Sequence, residues 1–152
     1  MHECVEGGLR LLVGVDFSET SGRALREARR LGALLNARVD LIHVLSGPYL
    51  QPWVPGRDAS AWLDLLAVAP DEIHTRAGRP WSELARAAEE QATTAIVIGS
   101  HGVSGYQPLT LGSTASRVTL VAPCPVVIVS PRSMEAANAR RRSGSQRVSL
   151  TP

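Results

Sequence analysis

Thr94-Ala95-Ile96-Val97-Ile98 runs directly into Gly99-Ser100-His101-Gly102-Val103-Ser104-Gly105, and the segment closes at Gly112-Ser113-Thr114. The first five residues are an almost continuous apolar run, which is how a strand buried on both faces reads in sequence. From Ser113 to Val121, Ala115 and Val118, followed by Ala122, recur at helical spacing, so a helix starts at Ser113. Strand, glycine-rich loop and helix start in that order form the context a phosphate loop needs. Glycine lets the backbone approach an anion closely and take positive φ, so that successive N–H groups converge. A helix start adds unpaired N–H groups and a partial positive charge, and Ser113 and Thr114 add two hydroxyl donors.

The alternation continues outward from this segment. Arg10-Leu11-Leu12-Val13-Gly14-Val15 is a second short apolar run and ends at Asp16. Ser18, Thr20 and Ser21 offer N-caps for a helix near 20–35, with Ala24, Leu25, Ala28, Leu31 and Leu35 inward and Arg23, Arg26, Arg29 and Arg30 outward. Arg38-Val39-Asp40-Leu41-Ile42-His43-Val44 is the next strand, and a loop rich in Pro and Gly follows. Residues 58–68 suit a short helix, and Glu72-Ile73-His74-Thr75-Arg76 reads as an edge strand because it is polar. Pro80 suits the first turn of a helix near 80–92 with Leu84, Ala85 and Ala88 on one face, and Pro125-Val126-Val127-Ile128-Val129 is the last strand. The expected fold is α/β: one doubly wound parallel sheet with helices on both faces, over residues 1–131. Residues 132–152 show no periodicity and read as a basic, disordered tail.

Composition excludes several function classes. The 152 residues suffice for one domain and one core. Cys4 and Cys124 lie far apart without metal-ligand spacing, so a disulfide framework or zinc site is not indicated and two reduced thiols are expected. No apolar run approaches the roughly 20 residues of a membrane span, and residues 1–6 lack the order of a signal peptide, so the expected location is cytoplasmic. The net charge of +2 is uneven: 11 Arg oppose 13 acids in residues 1–131, a balance of −2, while the tail carries five Arg against Glu135, a balance of +4. Neither nucleic acid nor membrane is an expected partner, since a short basic tail such as that around Arg140-Arg141-Arg142 is more often solvated. There is no lysine, which removes the P-loop reading, whose G-x-x-x-x-G-K-[ST] needs one for the β/γ-phosphates.

The spacing Gly99-x2-Gly102-x9-Gly112-Ser113 resembles the G-x2-G-x9-G-[ST] pattern of the universal stress proteins. The resemblance extends over residues 11–130, through Val15-Asp16-Phe17-Ser18 after the first strand, Leu41-Ile42-His43-Val44 and Ala122-Pro123-Cys124-Pro125-Val126 before the last. It implies a five-stranded sheet in the order 3-2-1-4-5, a homodimer paired through the last strand, and bound ATP, with Mg²⁺. By position it implies that Asp16 meets the ribose, the Val44 backbone meets adenine, and Gly99, Gly102, Gly112, Ser113 and Thr114 meet the ribose and phosphates. Gln107-Pro108 stand where many relatives carry basic residues, and the segment between the second and third strands is shorter than usual.

Several residues keep two readings. Asp16 accepts from ribose hydroxyls or caps the turn that follows it. His101 contacts phosphate or is a solvated loop residue, His43 reads as a satisfied core histidine, and His74 as surface. Trp53, Trp62 and Trp81 read as packing residues. No acid pair or activated nucleophile marks the loop, so a nucleotide-binding regulatory module is expected, with a slow ATP hydrolase and a non-binding interaction protein as the other two readings.

Overall fold

The computed structural model describes residues 8–47, 57–102 and 110–131. Within them β1 (Arg10–Gly14), α1 (Glu19–Leu35), β2 (Arg38–Leu45), α2 (Arg57–Leu66), β3 (Ile73–Ala77), α3 (Pro80–Glu90), β4 (Ala95–Gly99), α4 (Ser113–Val121) and β5 (Val126–Val129) follow one another, with a 3₁₀ turn at Pro70–Glu72 before β3. All neighbouring strands pair in parallel, in the order β3-β2-β1-β4-β5. The α/β architecture and the strand order expected from the sequence are both present. Sheet order reverses between β1 and β4, so the loops leaving these two strands diverge and leave a crevice at their carboxyl ends.

Period-two alternation sorts the core onto two faces. Leu11, Val13 and Val15 pack with Ala24, Leu25 and Ala28 of α1 and with Trp62, Leu63 and Leu66 of α2. Leu12, Ile42, Ile96 and Ile98 pack on the opposite face with Leu84, Ala87 and Ala88 of α3 and Ala115 and Val118 of α4. Strands β1 and β4 are covered on both sides, which is why their sequences are apolar throughout. β3 has a neighbour on one side only, and its His74, Thr75 and Ala77 are exposed.

Two helical faces differ from the sequence reading. Leu35 is 50% exposed rather than inward. Seventeen residues of α1 extend about 25 Å at ~1.5 Å per residue, whereas the five of β1 cover only about 17 Å at ~3.3 Å per residue. The last turn therefore overhangs the sheet, and Asn36 ends the helix in the left-handed region, donating its N–H to the Gly32 carbonyl. On α3 the face is Leu84, Ala87 and Ala88, with Ala85 only half-buried, because contact with both β4 and α4 rotates the inward stripe by one position.

Trp62 joins α2 to the start of α1, donating its indole N–H to the Ser18 carbonyl at 3.0 Å. A Cβ at Gly22 would sit 3.1 Å from that indole nitrogen, so Gly22 is what lets the ring lie on α1. Trp81 packs on the other core cluster, and Trp53 lies outside the described residues. Cys124 is a free, half-buried thiol pushed up by burial. Cys4 and the 132–152 tail lie outside the described residues.

Among the described residues Asp40 is the buried carboxylate, 7% exposed on β2, with Arg38 Nε at 2.6 Å and Arg10 Nε at 3.6 Å from its two oxygens. Arg10 also donates to the Gln91 carbonyl, so the group ties β1, β2 and the end of α3 together. Removing one partner of a buried pair leaves the other group's desolvation uncompensated. Both arginines are partly solvated, so Asp40→Ala is expected to lower unfolding free energy by about 2 kcal/mol and Arg38→Ala by under ~1 kcal/mol, measured by urea denaturation.

Candidate functional site

β1 ends at Gly14, and the chain leaves it through a sharp turn. Asp16 Oδ1 accepts from the Ser18 N–H at 3.0 Å and from the Ser18 hydroxyl. Phe17 between them has φ 63°, a conformation that costs a non-glycine residue energy and persists only where its surroundings hold it. Here those surroundings are ring contacts to His43 at 4.8 Å and to Trp62 at 5.4 Å. Ser18 then caps α1, its hydroxyl accepting from the Ser21 N–H at 3.1 Å. Of the two uses open to Asp16, turn capping is therefore present, and it occupies one carboxylate oxygen.

The second carboxylate oxygen faces the loop that leaves β4. A Cβ placed on Gly102 would lie 2.5 Å from Asp16 Oδ2, so only a glycine admits the carboxylate at this distance. Gly112 closes the other end of the loop, donating its N–H to the Ser100 carbonyl at 2.7 Å. A Cβ there would stand 3.1 Å from that carbonyl oxygen. Gly99 has a different reason: its missing side chain admits Thr20, whose Cγ2 and backbone carbon would lie at 2.7 and 3.1 Å from a Cβ, so that α1 seats against β4. None of the three adopts positive φ, contrary to the sequence argument, and among described glycines only Gly47 and Gly78 do. Close approach accounts for the motif's glycines at these positions.

α4 opens at the far side of the loop, and its N-cap, Gly112, makes no side-chain cap. The N–H groups of its first turn are left to whatever sits beyond the helix start. Ser113 is exposed and Thr114 half-buried. His101 is 8% exposed and its Nδ1 lies 2.9 Å from the Ser100 hydroxyl, which corrects the solvated reading of this residue. His43 is half-buried rather than core, with Nδ1–H donating to the Val15 carbonyl at 2.7 Å, since a carbonyl only accepts. His74 is exposed.

These pieces border one cleft of about 360 Å³ at the carboxyl ends of β1, β2 and β4, within the range of small-molecule sites. Asp16, Val44, Gly99, His101, Gly102, Gly112, Ser113 and Thr114 all line it. The cleft has two characters. Ile42, Val44, Leu84 and Ile98 form an apolar part, and Asp16, Ser21, Ser113 and Thr114 a polar part. Leu84, Pro80 and Ser46 were not singled out from the sequence. Their part in the cleft depends on α3 starting beside β2, which follows from topology rather than from any motif. Residues 103–109, including Gln107-Pro108, and the loop at 48–56 lie outside the described residues. Among the described residues no group of three His, Cys, Asp or Glu side chains could hold a metal ion. No described helix is long and apolar enough to cross a membrane.

The sequence model of the Universal stress protein family matches residues 9–130. The chain belongs to that family. It is 27% identical over 144 residues to the universal stress protein YxiE of Bacillus subtilis, covering 79% of this chain and 97% of the relative. It is 32% identical over 136 residues to a universal stress protein of Mycolicibacterium smegmatis, covering 82% of this chain but 46% of that longer protein. A universal stress protein solved in complex with cAMP superposes with a TM-score of 0.57 at 26% identity, covering 81% of this chain and 97% of the other.

The glycines make separable predictions. Gly99→Ala forces apart packed backbone and is expected to destabilise the fold by about 2 kcal/mol, as overpacking does. Gly102→Ala displaces only a partly solvated carboxylate, so its unfolding free energy, measured by urea denaturation, is expected to stay within about 1 kcal/mol of the parent.

Proposed function

We propose that this cleft binds an adenine nucleotide and that the protein is a nucleotide-dependent regulatory module of the stress response. The observation that carries the reading is the approach of Asp16 Oδ2 to Gly102, in the same cleft as the start of α4, whose N-cap glycine supplies no side-chain cap. A carboxylate accepts from paired ribose hydroxyls, a helix start favours phosphate, and the apolar residues of the same cleft suit a base. The solved relative in complex with cAMP supports the same class of ligand.

In this reading Asp16 accepts the ribose hydroxyls through Oδ2 while Oδ1 keeps the Ser18 turn. The Val44 backbone meets the adenine edge at the end of β2. Gly99, His101, Gly102 and Gly112 shape the ribose and phosphate side, and Ser113 and Thr114 donate to phosphate. The ligand is ATP or another adenine nucleotide. Among the described residues the cleft offers a single carboxylate, so Mg²⁺ is carried by the phosphates rather than by a protein cage. The same single carboxylate leaves no acid and base to divide between them, so turnover is slow or nil. The functional unit is the 1–131 domain, and a homodimer paired along the edge of β5 is its working form.

Isothermal titration with ATP, ADP, AMP and cAMP tests the reading. Binding in the micromolar range, about −6 to −8 kcal/mol, is expected for at least one of them. Asp16→Ala is expected to weaken it about tenfold or more, which is ~1.4 kcal/mol, consistent with loss of charge-assisted hydrogen bonds. No heat from any of the four at millimolar concentration would overturn the proposal.

A further inference from the structure

The cleft has an unbalanced charge. Asp16 is its one acidic lining residue among those described, and no arginine lines it. A nucleoside di- or triphosphate brings several negative charges, and a helix start supplies only about half an elementary charge. The chain has no lysine to add. Beyond a metal ion carried by the phosphates, a fixed basic side chain able to compensate this charge is an arginine near the cleft mouth.

Most described arginines are committed elsewhere. Arg10, Arg23, Arg30, Arg38, Arg76 and Arg86 are paired with carboxylates, and Arg29 donates to the Leu66 and Ala67 carbonyls. Arg117 has no carboxylate within ion-pair distance among the described residues. It stands four residues after Ser113, which places it on the same face of α4 one turn along. Helical side chains lean toward the N-terminus, so an arginine at this position can reach toward the turn that opens at the cleft. Its position is also held: the guanidinium carbon sits 6.0 Å from the centre of the Trp81 ring. Trp81 follows Pro80, which lines the cleft, so the pair joins the first turn of α3 to α4 one residue from the lining.

We propose that Arg117, carried on the Trp81 ring, is the specificity residue that lets this cleft prefer a nucleoside polyphosphate over a monophosphate or nucleoside. The inference rests on the adenine-nucleotide reading of the site. An arginine on an aromatic face is a charge held without a carboxylate, so it turns to a phosphate without breaking an ion pair. It supplies from α4 what Gln107-Pro108 do not supply from the loop. Ribose and adenine contacts do not involve it.

The test measures binding of adenosine, AMP and ATP to the parent protein and to Arg117→Ala, Arg117→Lys and Arg79→Ala, the last removing the exposed arginine beside Pro80. Arg117→Ala is expected to weaken ATP about five- to tenfold, as for loss of one solvent-exposed charged contact, and adenosine by less than about twofold. The lysine variant retains most of the ATP preference. ATP affinity of the parent falls more steeply with salt than that of Arg117→Ala. An ATP-to-adenosine ratio unchanged by Arg117→Ala, or reduced only by Arg79→Ala, would overturn the inference while leaving the nucleotide site standing. Absence of binding by all three ligands to the parent protein would remove the underlying reading as well.

Discussion

The molecule depends on how closely two loops approach at the point where the sheet reverses direction. Asp16 leaves β1 and Gly102 follows β4, and the carboxylate of one occupies the space that a side chain on the other would fill. Neighbouring structure sets this contact up. Phe17 accepts a left-handed conformation so that the chain can turn from β1 into α1, and His43 and Trp62 hold its ring. Ser18 then uses its hydroxyl to cap α1 and its carbonyl to receive Trp62. The left-handed turn at Phe17 is thus supported from β2, α2 and α1, and its result is a carboxylate set between the Ser18 turn and Gly102 at the cleft.

The other side of the cleft is built from backbone. Ser100 passes its N–H to Val129 and receives the Gly112 N–H on its carbonyl, so both ends of the glycine loop are fixed to the sheet. α4 begins where that stitch ends, at an N-cap glycine that offers no side-chain cap of its own. An anion site of the proposed kind, built from backbone N–H groups at a helix start, needs no lysine, and the chain has none. Asp40, at the opposite end of β2, performs a structural task with the same chemistry: a buried carboxylate held between Arg10 and Arg38.

Much of this was legible in the sequence because it rests on local signals. Unbroken apolar runs at 11–13 and 95–98 mark the doubly covered strands, polar 74–76 marks an edge, and Ser18 and Pro80 mark helix starts. All eight residues proposed for the cleft do line it. What sequence did not supply is distance between segments remote along the chain. The close packing at Gly99 depends on Thr20, and that at Gly102 on Asp16, so close approach rather than positive φ accounts for glycine at these positions. Burial of His101 follows from the stitch between Ser100 and Gly112, and exposure of Leu35 from a helix longer than the strand beneath it. Neither of these is a property of residue type or spacing.

The central claim is that one ligand spans the cleft from β2 to α4. Amide NMR spectra of the isotope-labelled protein, recorded while ATP is added, test it residue by residue. The account predicts that the signals of Val44, Gly102, Ser113 and Thr114 move together and saturate at one concentration, while those of Asp40 and Asp71 at the other end of the sheet stay in place. Unmoved cleft signals at millimolar ATP, or shifts confined to residues away from the carboxyl ends of β1, β2 and β4, would contradict it.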